Sequence, residues 1–260
     1  MNFDWGFFWR YLHEPSAAYL HGLMLTLVLS VVAQTFGTVI GLFAALGRNS
    51  IFAPLRYAVT FYVWAMRGTP LLVQIVFIYT GLAAANIVRF ADIDLGFMII
   101  PGNVQAGILA LSLNEGAYMS EIVRAGIASV DIGQTEAAKS LGMTFWQLMR
   151  RIILPQAARF VLPPLGNEFN AMLKNTTLVS VIGVPELLLT TETITSATFR
   201  VFELYSVVAL YYLTLTTVWG LVQSRIEAKF GQSAGQGKEA PGLGERMFGS
   251  FVSKAFGDKR

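Results

Sequence analysis

From Leu20 to Gly47 the chain runs without one charged residue, closing at Arg48. A helix needs about 20 apolar residues to cross a hydrocarbon core roughly 30 Å thick, so this run is long enough to span a membrane as one helix. The rest of the sequence agrees, because 54% of the 260 residues are hydrophobic and only 13% charged. An ordinary soluble domain carries roughly 25% charged residues, and half that share cannot coat a soluble surface. The length suits one membrane domain.

Further apolar runs extend from about Thr69 to Val88, Asn103 to Ile127, Ala157 to Gly183 and Tyr205 to Val222. Five spans are therefore predicted in an all-α membrane fold. The stretch from Leu55 to Ala85 admits two readings, since Arg67-Gly68-Thr69-Pro70 interrupts it. In the preferred one, Leu55 to Met66 is an interfacial helix opened by Pro54 and followed by a single span; in the other, two short spans flank Arg67.

The N-terminal stretch carries Asp4, Arg10 and Glu14 among six aromatic residues from Phe3 to Tyr11, without a basic leader or a small-residue cleavage site. Residues 1–19 are expected to be an external interfacial segment, and the first span an uncleaved anchor. Residues 20–230 would form the transmembrane domain. From Gly231 the chain turns glycine-rich and polar, which fits a flexible tail, while Met247 to Phe256 mixed with Lys254 and Arg260 also fits a basic amphipathic helix.

Basic residues collect in alternate loops. Arg48, Arg56 and Arg67 lie between the first two spans, Arg124, Lys139, Arg150, Arg151 and Arg159 around the third and fourth, and Arg225 and Lys229 after the fifth. The remaining loops are acidic or balanced. Because Lys and Arg are retained on the cytoplasmic side, this predicts an external N-terminus and a cytoplasmic C-terminus.

One cytoplasmic segment, residues 131–155, is too patterned for a plain connector. Thr135 with Glu136 to Lys139 predicts a helix start, and Ala137, Ala138, Leu141, Phe145, Leu148 and Met149 supply an apolar stripe at helical spacing. Gly142 suits a turn or a close backbone approach, and Pro155 marks the start of the fourth span. The alternative is a connector resting on lipid headgroups.

These residues resemble the EAA loop of bacterial ABC importer permeases, E-A-A-x3-G-x9-I-x-L-P, through Glu136, Ala137, Ala138, Gly142, Ile152, Leu154 and Pro155. Segments from Arg67 to Gln74, Glu115 to Tyr118, Glu121 to Ile127 and Leu173 to Leu178 are similar to the polar amino acid permease subfamily, whose members serve histidine, glutamine, arginine and cystine import. The likeness covers roughly Leu20 to Lys229. It implies the type I importer permease fold and a coupling helix, between spans three and four, that docks on a separate ATPase. It further implies two permease chains, identical or paralogous, an ATPase dimer that holds the ATP and Mg, and an extracytoplasmic solute-binding protein, all at the bacterial cell membrane. Glycine-rich residues 235–238 do not make a phosphate loop, because Glu239 and Gln232 stand where the motif needs Ser or Thr and Gly. No catalytic site, cofactor or nucleic-acid partner is expected for this chain, and His13 and His21 lack partners for a metal.

Polar residues at membrane depth are costly and normally face the protein interior or a wet path. Asn114 and Glu115 sit mid-span in the third helix, while Asn167, Asn170 and Lys174 form a stripe at i, i+3, i+7 in the fourth, bordered by Glu168 and Asn175. Glu115 or Glu168 could meet an ammonium, and Lys174 with the amides a carboxylate, which suits a zwitterionic amino acid. The same residues could instead form a buried network. Glu121 and Arg124 are expected to pair with each other, and Pro70 and Pro163-Pro164 are candidate hinges. An ion-coupled secondary transporter is the second function class, suggested by Glu115 and Glu168, and a membrane anchor without transport the third.

Overall fold

A computed structural model describes residues 3–231, so the expectations for the C-terminal tail lie outside the described residues. The first helix, α1 (Trp5–His13), is capped by the Asp4 carboxylate, which accepts from the amide of Phe7. Helix α2 (Ala17–Arg48) follows a Ser16 cap and runs 32 residues, about 48 Å at 1.5 Å per residue.

Next come α3 (Ala53–Gly68) and α4 (Leu71–Val76), and a π turn at Phe77–Gly81 leads into α5 (Leu82–Ala84). Thr69, placed before Pro70, is extended (φ −121°, ψ 147°), because proline's ring disfavours helix in the preceding residue. The axis bends there by 113°. A short hairpin of β1 (Ile93–Asp94) and β2 (Ile99–Ile100), with Ile93 opposite Ile100, leads to α6 (Gly102–Ala128).

Beyond it lie α7 (Ile132–Ser140) and α8 (Phe145–Leu148), a π turn at Met149–Ile153, and α9 (Leu154–Asn175). A 3₁₀ turn over Thr176–Ile182 ends at Gly183, and α10 (Leu187–Thr198) and α11 (Val201–Gly231) complete the described chain.

Helix α6 is the hub, packed against α2, α3, α4 and α9. Its closest partner is α2, and the reason is side-chain size. Buried Ala33, Gly37, Gly41 and Ala45 recur every four residues on α2, opposite buried Ser112, Gly116 and Ser120 on α6. A Cβ on Gly37 would lie 2.5 Å from the Glu115 side chain, and one on Gly41 2.4 Å from that of Met119. In a membrane, where apolar side chains gain little by leaving lipid, such small-residue faces let helices approach to van der Waals contact. Around this seam Leu29, Ile75, Val104, Leu111, Met172 and Val179 form the main core.

Several expectations change. By length and composition α2 and Val201–Ala228 each suffice to cross a membrane, with up to four crossings if each bent pair counts as one. Helix α6 is absent from that set because its serines, Asn114 and Glu115 dilute the apolar run, yet they are buried among neighbouring helices. The second span stops being helical at Ala84, short of Val88. The prolines Pro163 and Pro164 lie inside a continuous α9, so of the expected hinges Pro70 alone makes a sharp break, and a second bend of 52° falls between Ile182 and Leu187. Pro155 lies in the first turn of α9, as expected, but α8 and the π turn run into that helix without a break. The hairpin adds four strand residues to an otherwise helical fold.

Candidate functional site

The loop between α6 and α9 is held by its own small core. Ala138, Leu148 and Ile153 are buried against Ile127, Val130, Met143 and Ile152. The helix α7 begins earlier than Thr135: Asp131 caps it, accepting from the amide of Gly133 at 2.7 Å. Gly142 has φ +71° and open space about its Cα, so its use is the left-handed turn that stops α7. Helix α8 restarts two residues later on a capping box in which Thr144 and Gln147 each bond the other's backbone amide.

This turn splits the apolar stripe. Ala138 and Leu148 face inward, whereas Leu141, Phe145 and Trp146 are 81%, 64% and 76% exposed. Glu136, Ala137, Gly142, Leu154 and Pro155 are exposed beside them, and Ile152 is half-buried. The loop thus offers a rigid, apolar and aromatic surface with nothing from the described chain over it.

At membrane depth the polar residues divide into two groups. On α6 the Asn114 amide donates to Gln74 Oε1 (2.9 Å) and to the Met66 carbonyl (3.3 Å). Gln74 in turn donates to Met66 O and Thr69 Oγ1, both at 2.8 Å. These bonds supply donors to the backbone freed at the Pro70 break, the condition under which a broken helix is tolerated away from water. Glu115 is seated against Gly37 and accepts from Gln34 Nε2 at 2.8 Å. Tyr62 ties α3 to α6 by donating to the Leu113 carbonyl at 2.6 Å.

On α9 the side chains are less engaged. Asn167 is exposed and accepts from Gln223 of α11 at 3.1 Å. Glu168 is half-buried, Lys174 is exposed, and Asn170 Oδ1 is buried without a hydrogen-bond partner among the described residues. Helices α6 and α9 pack against each other, so the two groups lie on adjoining helices.

The ion pair expected between Glu121 and Arg124 is present at 2.8 Å, and it is larger than expected. Arg48 also pairs with Glu121, and Arg67 lies 3.4 Å away, which joins the ends of α2 and α3 to α6. Gln34, Gln74 and Tyr62 were not singled out by sequence; a lone glutamine inside each apolar run was the available sign. Glu186 also escaped notice as one acid in a balanced loop. It is fully buried at the start of α10, where it accepts from the Leu189 amide and from the Tyr212 hydroxyl (2.9 Å), and Thr26 of α2 also approaches it.

Comparison with known proteins places this architecture. Residues 37–232 match the family described as "binding-protein-dependent transport system inner membrane component". The chain is 38% identical over 228 residues to the probable amino-acid ABC transporter permease protein YckA of Bacillus subtilis (strain 168), covering 85% of this chain and 96% of that one. It is 35% identical over 230 residues to the glutamine transport system permease protein GlnP of Escherichia coli (strain K12), covering 88% and 98%.

Among solved structures, an amino acid ABC transporter with histidines aligns at 40% identity and a TM-score of 0.77, covering 88% of this chain and 100% of that chain. The inward-facing MetNI methionine ABC transporter aligns at 20% identity and a TM-score of 0.66, covering 84% and 98%, and shares the fold.

Proposed function

The chain belongs to the binding-protein-dependent transport system inner membrane components, as a permease subunit of the amino-acid ABC transporter kind with the type I importer fold, and from that premise we propose how its parts divide the work of import. It takes a polar amino acid delivered by an extracytoplasmic solute-binding protein and passes it inward by alternating access. Two such chains, identical or paralogous, form the pathway. The loop between α6 and α9 docks on a separate subunit that binds and hydrolyses ATP, and this chain is a transport permease, not that ATPase.

The observation that carries this is the exposed cluster of Leu141, Phe145 and Trp146 on a loop stiffened by Ala138, Leu148 and Ile153. Large aromatic side chains on a rigid support are the usual anchors of protein interfaces, and of the small residues Ala137, Ala138 and Gly142 the exposed Ala137 and Gly142 leave room beside them for close backbone approach. The loop faces the cytoplasm, as the arginines gathered at that end of α2, α3 and α6 support. The N-terminus then lies outside and the C-terminus inside.

Glu168, Asn170 and Lys174 of α9, adjoined by Glu115, line the path. The unmet Oδ1 of Asn170 and the Lys174 ammonium suit the ammonium and carboxylate of an amino acid respectively. Asn114 supports the Pro70 break beside that path. The ion-coupled alternative finds no support in the relatives, whose names place them in ABC systems.

Proteoliposomes separate the readings. Uptake of a radiolabelled amino acid is expected only when the ATPase, the binding protein and ATP are all supplied. Uptake by this chain alone, driven by a proton or sodium gradient, would overturn the proposal.

A further inference from the structure

At the same end of the bundle as α7, three arginines surround one carboxylate, and the import steps above give them no task. Glu121 of α6 pairs with Arg48 from the end of α2, with Arg124 one turn along, and with Arg67 from the end of α3. Among the described residues no other carboxylate comes within ion-pair distance of these arginines, so the cluster carries an excess of two positive charges. The excess faces outward: the side chains of Arg67 and Arg124 are 44% and 48% exposed, against 21% for Glu121. The Arg67 side chain makes no hydrogen bond among the described residues and lies over the ring of Tyr118 at 5.4 Å. Beside it opens a cavity of about 480 Å³, lined by Arg48, Thr60, Trp64, Arg67, Tyr118 and Glu121.

The wall of this cavity continues as an apolar face. Tyr57, Phe61 and Trp64 recur at i, i+4, i+7 on α3 and are 68%, 65% and 69% exposed. A basic cavity joined to an exposed aromatic stripe matches an amphiphile whose anionic end carries several acceptor oxygens. We propose that the cavity binds the phosphate headgroup of an anionic phospholipid, with its acyl chains along Tyr57, Phe61 and Trp64. Glu121 holds the guanidinium groups in a fan, leaving unused N–H donors for phosphate oxygens on Arg67 in the cavity wall and on Arg124, which joins the cluster through Glu121. Basic pockets between membrane helices are suited to such headgroups, and the exposed Trp64 in the cavity wall is of the residue type favoured at the boundary between headgroup and chain. A free phosphate would use only the basic half of this surface. The inference rests on the membrane setting of the family and is independent of the direction in which the chain crosses.

The test uses the purified chain in nanodiscs and reads quenching of Trp64 by brominated lipids, isolated by subtracting the Trp64→Phe variant. Brominated phosphatidylglycerol is expected to quench at several-fold lower mole fraction than brominated phosphatidylcholine. At about 1 kcal/mol per basic residue near a lipid surface, the preference should fall about fivefold in Arg67→Gln and again in Arg124→Gln. Arg67→Lys, which keeps the charge, should retain most of it, and Arg225→Gln should leave it unchanged.

Equal quenching by the two lipids, or a preference that survives the Arg67→Gln/Arg124→Gln double variant, would overturn the proposal. So would full competition by inorganic phosphate, which would mark a small-anion site, or cross-linking of cysteines at positions 61 and 64 between two copies, which would mark a permease interface. Each of these results leaves the ATP-dependence of uptake to be decided by its own experiment.

Discussion

On α6 the amide of Asn114 and the carboxylate of Glu115 find partners within the chain, in Gln74, Met66 and Gln34, whereas on α9 Glu168 and Lys174 have no side-chain partner among the described residues and Asn170 Oδ1 is buried without one. Residues of the same type at similar depth are therefore satisfied to different degrees. A buried polar group that meets its partners stabilises the helix contact it bridges, and one left open, as Asn170 Oδ1 is, retains the capacity to meet a ligand or another chain. Glu115 meets Gln34 where Gly37 and Gly41 bring α2 into contact with α6, while Asn114 is met from α3 and α4. The α9 group lies where the helix is half-buried.

This contrast can be broken at its structural side first. Gly37→Leu would drive a side chain into Glu115 and force α2 from α6, and we expect a loss of about 3 kcal/mol or failure to accumulate. Thermal unfolding followed by size exclusion reads the change, with Gly68→Ala as control, since open space surrounds that position. Next, Gln74→Leu or Asn114→Leu removes a donor from the Pro70 break, leaving buried polar groups unmet. Each should cost about 2 kcal/mol, and because the two side chains bond each other, the double variant should cost less than the sum.

The α9 side behaves in the opposite way on this account. Asn170→Ala and Lys174→Gln should leave the melting temperature nearly unchanged, within about 0.5 kcal/mol, while lowering amino acid uptake by roughly tenfold, equivalent to about 1.4 kcal/mol. If these variants lower the melting temperature markedly and spare uptake, the roles of α6 and α9 are reversed. Smallest is Tyr62→Phe, which removes one bond to Leu113 O and should cost about 1 kcal/mol in the same melting assay.

Sequence carried the local features well. A charge-free run and a fixed spacing of Glu136, Ala137, Ala138 and Gly142 are patterns that survive without tertiary context, and α2 and α7 are found close to where they were expected. What was missed depends on neighbours. Whether Pro163 and Pro164 break α9 depends on packing against α11, where Gln223 donates toward the Pro163 carbonyl, and no rule of local spacing contains that contact. The same holds for Glu186, whose burial follows from Thr26 and Tyr212 arriving from distant helices, and for the arginines that meet at Glu121. Asp131 could have been read as the cap of α7, being a preferred residue at that position, but the later Thr135 offered a competing start.

On the proposed function, this permease is driven through the surface that α7 and α8 expose. This is tested most directly by ATP hydrolysis in the reconstituted complex with its ATPase and binding protein, comparing the wild type with a Phe145→Ala/Trp146→Ala variant. Both side chains are solvent-exposed, so the variant should melt within about 0.5 kcal/mol of the wild type. It should also lose co-purification with the ATPase and at least tenfold of the substrate-stimulated hydrolysis. A folded variant that retains both would contradict the claim.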